Sequence, residues 1–118
     1  MEMKPAVSSL AALAHGGRLS IFRLLVQAGA DGLASGEIAR RMSVLPNTLS
    51  ASLNVLSGAG LVRSRRDGRS IIYTAAYSHM SSLLAFLMKD CCAGNAEICA
   101  PLADVVTKAA CRQTGAML

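Results

Sequence analysis

The sequence predicts a mainly α fold with one β-hairpin, in the element order of a winged helix-turn-helix. Three observations carry this. Two short amphipathic segments, Ser35 to Met42 and Pro46 to Gly58, are separated by a three-residue turn at Ser43 to Leu45. Two strand-like runs, Leu61 to Arg66 and Ser70 to Ala75, flank Asp67-Gly68, a strong hairpin signal. A further apolar stripe of Met80, Leu83, Leu84, Leu87 and Met88 follows at helical spacing within Ser78 to Asp90.

Taken in order, residues 4–14 are Ala-rich and helical, and Gly16-Gly17 interrupts them. Arg18 to Ala28 is predicted as a second helix with Leu19, Phe22, Leu25 and Val26 on one face, closed by a loop from Gly29 to Gly32. Ser35 or Gly36 starts the next helix, with Ile38, Ala39 and Met42 inward. Pro46 suits the first turn of the helix after it, where a missing N–H costs nothing. Leu49, Leu53 and Leu56 form its buried stripe, and Gly58 and Gly60 end it. Phe86 lies off the stripe of the last helix and needs a second contact surface.

With 118 residues, one core is expected, and with 53% hydrophobic but 3% aromatic residues it must be aliphatic. No apolar run approaches the ~20 residues of a membrane span. Met1 to Val7 carries Glu2 and Lys4 and reads as no signal peptide, so a cytosolic chain with reduced cysteines is expected. No nucleophile–base pair, phosphate loop or carboxylate dyad points to an enzyme.

The formal charge is +5, and half of the twelve basic residues fall between Arg40 and Arg69: Arg40, Arg41, Arg63, Arg65, Arg66 and Arg69. Within that stretch only Asp67 opposes them. Such a cluster serves a solvated surface in many proteins; beside a helix-turn-helix it suits a phosphate backbone. The second helix of the motif enters the major groove, N-terminal residues foremost. Its outward face is Asn47, Thr48, Ser50, Ala51 and Asn54. Asn bonds adenine bidentately, and Thr and Ala touch a thymine methyl. This helix has no Lys or Arg, so affinity is expected from Arg40, Arg41 and the wing arginines Arg65, Arg66 and Arg69.

Several segments together resemble the ArsR/SmtB family of metal-sensing repressors over residues 8–90. They are Leu10-Ala-Ala-Leu-Ala-His15 with Arg18-Leu19, Glu37-Ile-Ala, Thr48-Leu-Ser50 with Leu53-Asn-Val-Leu56, and Ala59-Gly-Leu-Val-Arg-Ser-Arg-Arg-Asp-Gly-Arg69 with Tyr73. The resemblance implies a homodimer held by its first and last helices that binds operator double-stranded DNA and represses its own operon. Apolar surface agrees: the Met80–Met88 stripe and the Leu10–Ala14 face exceed what one small domain covers.

Cysteine chemistry concentrates at Asp90-Cys91-Cys92-Ala-Gly94-Asn-Ala-Glu-Ile-Cys99, with Cys111 beyond. Thiolates select soft ions. Arsenite favours three thiolates in a pyramid, antimonite behaves similarly, and structural zinc prefers four ligands in a tetrahedron. Adjacent residues on a helix project about 100° apart. Cys91 and Cys92 can therefore share an ion only if the helix frays, as Gly94 and Pro101 suggest. Buried packing explains Cys111 better than it explains this polar, Gly-containing segment. Cys-Cys, a Gly-containing loop and a further Cys resemble one arsenite-sensing branch of the family, which implies Cys91, Cys92 and Cys99 as ligands. The branch with Cys-x-Cys at the start of the helix-turn-helix is excluded by Leu33-Ala-Ser-Gly-Glu37. The zinc and nickel branches place carboxylates and histidines on the last helix, which here offers only His79 and Asp90. His15 is expected to cap or pack. The division expected is a DNA-binding and dimerisation domain over 1–90 and an inducer-binding tail over 91–118. Two alternatives stay open: a thiol-redox or other soft-metal repressor of the same fold, and a zinc-stabilised protein adaptor.

Overall fold

The computed structural model describes residues 1–88, so Cys91, Cys92, Cys99 and Cys111 lie outside the described residues. Its first helix, α1 (Met3–Leu13), turns a face of small residues inward: Ala6, Ser9 and Ala12 are buried. Their size lets neighbouring elements approach closely. The opposite side leaves Met3, Val7 and Leu10 exposed at i, i+4 and i+7.

Helix α2 (Gly16–Ala28) starts at the glycine pair, earlier than the apolar pattern indicates. His15 is its N-cap: Nδ1 accepts from the Arg18 backbone N–H at 3.3 Å. The Arg18 side chain reaches the other way and donates from Nε to the Ala12 carbonyl at 2.6 Å and from Nη2 to that of Ala11 at 3.3 Å. It thereby adds side-chain donors to carbonyls at the C-terminal end of α1, where the Ala11 carbonyl also accepts from the Ala14 N–H. The buried face of α2 is Ile21, Phe22 and Leu25, whereas Leu19 is exposed and Val26 half-buried. The expected stripe is therefore rotated. Because α2 packs on α1, α4 and β3 at once, its angle is set by three neighbours and not by one seam.

A single 3-10 turn, Gly29–Asp31, leads to Gly32 and then β1 (Leu33–Ala34), a strand that the sequence does not predict. Two residues are too few to show a period. Strand β1 pairs antiparallel with β3 (Ser70–Ala75), Leu33 opposite Tyr73 and Ala34 opposite Ile72, and β3 pairs with β2 (Val62–Asp67). The sheet order is β1-β3-β2, so β2 is an outer strand. Asp67 pairs with Ser70, which makes Gly68 and Arg69 the hairpin loop, one residue later than Asp67-Gly68. Among the described residues Ser43 is the one non-glycine with positive φ, so the loop has positive φ only at Gly68 (+62°). That fits a turn requiring glycine at its first loop position.

The helix-turn-helix is α3 (Ser35–Met42) and α4 (Pro46–Gly58), with Pro46 in the first turn of α4 as expected. Ser43 in the left-handed region (φ 55°, ψ 43°) closes α3. Ile38, Leu49, Leu53 and Leu56 join Leu25 and Leu61 in the core, each at most 2% exposed. Full burial of such a side chain contributes about 1.5–3 kcal/mol. Helix α5 (Tyr77–Met88) follows β3; it buries Leu83 and leaves Leu84 exposed. No helix among the described residues is long and apolar enough to cross a membrane.

Candidate nucleic-acid interface

Helix α4 is built as a two-faced rod. Its leucines at 49, 53 and 56 point into the core, which forces Asn47, Thr48, Ser50, Ala51 and Asn54 outward, and all five are exposed. Leu45, the residue before Pro46, is 73% exposed, a large apolar side chain at the leading end of this face. In the sequence it is a turn residue with no evident role. Helix α4 packs against both α3, which carries Arg40 and Arg41, and β2, which carries Arg63, Arg65 and Arg66.

On α3, Glu37 collects both arginines. Arg40 Nε donates to Oε2 at 3.0 Å and its Nη2 to Oε1, while Arg41 Nε donates to Oε1 at 2.7 Å. The hydrogen bonds from Arg40, then those from Arg41, hold the Glu37 carboxyl down to about 2. The same contact raises the Arg40 guanidinium above its usual value. Two cations share one anion, so the cluster carries one net positive charge. Glu37 lies just outside the Arg40–Arg69 stretch, yet its i+3 and i+4 spacing to Arg40 and Arg41 is a legible signal for this pairing.

The wing arginines divide. Neighbours on a strand face opposite sides, so Arg65 and Arg66 diverge. Arg65 is folded back: Nη2 donates to the Asp31 carbonyl at 2.9 Å and Nη1 to that of Ala30 at 3.4 Å. Arg63, on the same face, donates to Ser78 Oγ at 3.3 Å. Arg66 and Arg69 are exposed and make no side-chain hydrogen bond among the described residues.

His79, which the last helix offers, has its Nε2 2.8 Å from Ser9 Oγ. No group of three or more His, Cys, Asp or Glu suited to a metal ion occurs among the described residues.

A helix-turn-helix domain model matches residues 13–65. The chain is 33% identical over 84 residues to the biofilm growth-associated repressor of Agrobacterium fabrum, covering 71% of this chain and 69% of that protein. It is also 33% identical, with a TM-score of 0.61, to a homodimeric winged helix-turn-helix DNA-binding domain from Mycobacterium bovis, a possible ArsR-family regulator; the match covers 72% and 76% of the two chains. The chain belongs to the ArsR family of winged helix-turn-helix transcriptional regulators. The chain is also similar in structure to an ArsR-like transcriptional regulator from Rhodococcus (27% identity, TM-score 0.67, 90% and 93% coverage) and to a possible transcriptional regulator for arsenical resistance (28%, 0.60, 68% and 80%). An uncharacterized HTH-type regulator of Mycobacterium tuberculosis is 36% identical over 77 residues, 65% of this ArsR-family chain and 66% of its own length. The relatives are transcriptional regulators, not enzymes.

Proposed function

We propose that this ArsR-family regulator is a homodimeric repressor that holds operator DNA in its unliganded state and releases it on binding arsenite or antimonite. The observation that carries the DNA reading is the outward face of α4. Asn47, Thr48, Ser50, Ala51 and Asn54 are all exposed on a helix whose other side is locked into the core. Asn47 and Asn54 supply amide pairs for adenine, and Thr48, Ala51 and Leu45 supply apolar contact for thymine methyls. Arg40, Arg41, Arg66 and Arg69 supply the electrostatic attraction that α4 lacks. The exposed Met3, Val7 and Leu10 on α1, with Leu84 on α5, support a two-fold seam. The homodimeric relative from Mycobacterium bovis supports the same assembly. The operator is then an imperfect palindrome with half-sites about one helical turn apart.

The inducer reading rests on the chemistry of Cys91, Cys92 and Cys99: three thiolates within nine residues suit a pyramidal soft ion. The similar structure of a possible regulator for arsenical resistance supports it. A coupling of about 1–3 kcal/mol between ion and operator gives roughly 5- to 150-fold release, and operator DNA weakens ion binding by the same factor.

The test selects bound duplexes from random-sequence DNA, then titrates the reduced complex with arsenite, antimonite, zinc or a thiol oxidant while following thiolate absorbance and DNA occupancy. Single Cys91→Ser, Cys92→Ser and Cys99→Ser variants are expected to bind DNA and to lose the arsenite response, and Cys111→Ser to keep it. Release by the oxidant alone replaces the inducer reading with the redox one. A Cys99→Ser variant that still responds, beside a Cys111→Ser variant that does not, makes Cys111 the third ligand.

A further inference from the structure

We propose that Arg65 is a positioning residue that straps the wing to the turn between α2 and α3, and that it does not itself contact DNA; the second half rests on the DNA-binding reading above. Arg65 sits on the outer strand β2, opposite Ile72 of β3. Its guanidinium nevertheless reaches the carbonyls of Ala30 and Asp31, in the 3-10 turn that precedes β1 on the far side of β3. The side chain therefore spans the central strand, from the edge formed by β2 to the segment entering the opposite edge, β1. Two nitrogens of one planar fork hold two consecutive carbonyls, a geometry that lysine cannot reproduce.

Two further contacts converge on the same turn. Gly32 lies so close to β3 that a Cβ there would overlap the Tyr73 carbonyl oxygen. Leu33 and Ala34 then pair with Tyr73 and Ile72. A two-stranded hairpin alone is marginal in water. This one gains a third strand of only two residues, and β2 buries only Val62 at its start, so the exposed remainder of β2 has little else to hold it. Arg65 anchors it. The segment it grips leads directly into α3, whose first residue is Ser35. The strap thereby fixes the angle between the wing and the helix-turn-helix, and the tip arginines Arg66 and Arg69 are aimed by it.

The test uses the full chain with Arg65→Ala, Arg65→Lys and Arg66→Ala. In the free protein, amide exchange of β2 and β3 is expected to quicken on the order of tenfold in both Arg65 variants and to stay unchanged in Arg66→Ala. On a duplex selected from random-sequence DNA, both Arg65 variants are expected to lose affinity with an unchanged salt slope. Removing one phosphate ligand flattens that slope by about 0.9, which is the result expected for Arg66→Ala. Unchanged exchange overturns the strap. Unchanged affinity in the Arg65 variants overturns its aiming role. A flattened slope in Arg65→Ala that Arg65→Lys restores makes Arg65 a phosphate ligand and overturns the proposal. Absence of DNA binding by the wild-type chain defeats the DNA reading and, with it, the aiming role, while the exchange result still decides the strap.

Discussion

Ser9 Oγ and His79 Nε2 lie 2.8 Å apart, joining α1 to α5 across seventy residues of sequence. Ser9 is the one buried polar residue among those described, and its hydroxyl also lies 2.9 Å from the Pro5 carbonyl. A hydroxyl has a single proton. Donated to Pro5, it leaves the oxygen to accept from His79 in the tautomer protonated at Nε2. Both helices carry the exposed apolar side chains that the proposed dimer pairs.

Ser9→Ala leaves the buried face of His79 without its partner. The expected loss is about 1–3 kcal/mol, the cost of an unsatisfied buried polar group. A double-mutant cycle with His79→Ala is expected to show coupling of about 0.5–3 kcal/mol. Urea unfolding of the four proteins measures it, and additive losses would refute the link.

Two glycines with positive φ separate strain from collision. Gly68 (φ +62°) has no atom within 4 Å of where a Cβ would stand, so Gly68→Ala is expected to cost only the backbone strain of positive φ, about 1–3 kcal/mol. Gly32 (φ +69°) adds overlap with β3 backbone, so Gly32→Ala is expected to cost clearly more and to unpair β1. Equal thermal shifts for the two variants would sink this distinction.

Glu37 supplies an acid-sensitive contact. Its folded-state value is lowered from 4.5 to about 2 by the Arg40 and Arg41 hydrogen bonds. Between those two values the unfolded chain takes up a proton that the folded chain refuses, so stability contributed above pH 4.5 is lost as pH falls toward 2. Glu37→Gln is expected to flatten the stability–pH curve in that window. An unchanged slope between pH 4.5 and 2 refutes it.

DNA recognition divides by chemistry. Asn54→Ala is expected to change base preference with little effect on salt dependence. Arg66→Ala or Arg69→Ala is expected to weaken binding to all sequences and to flatten the salt slope by about 0.9 for each phosphate left without its arginine. Binding isotherms at several salt concentrations, on selected and scrambled duplexes, separate the two classes. Identical behaviour of both would show the division to be wrong.

Leu10→Glu and Leu84→Glu place charges on surfaces that are 42% and 36% exposed in the single chain. Neither is expected to unfold the domain, since neither lies in its core, but each is expected to weaken dimers by placing charge in an apolar seam. Sedimentation of a wild-type monomer at micromolar concentration would remove the basis for this.

Period and punctuation in the sequence were enough to determine most elements. Leu49, Leu53 and Leu56 placed the inward face of α4, and with it the outward set from Asn47 to Asn54, because one covalent spacing controls both sides of a helix. Pro46 and Gly68 marked a start and a turn through their own backbone limits. Tertiary structure alone decided what depends on distant partners. Strand β1 exists because Tyr73 and Ile72 offer it a ladder, not because Leu33-Ala34 has a pattern. Three packing surfaces, not a seam, set the rotation of α2 that buries Ile21 and exposes Leu19. The basic cluster, uniform as a string of arginines, was sorted by reach: Arg40 and Arg41 onto Glu37, Arg65 onto the carbonyls of Ala30 and Asp31, and Arg66 and Arg69 into solvent. Charge is a property of residue type, but which acceptor lies within hydrogen-bonding reach of a guanidinium is a property of the fold.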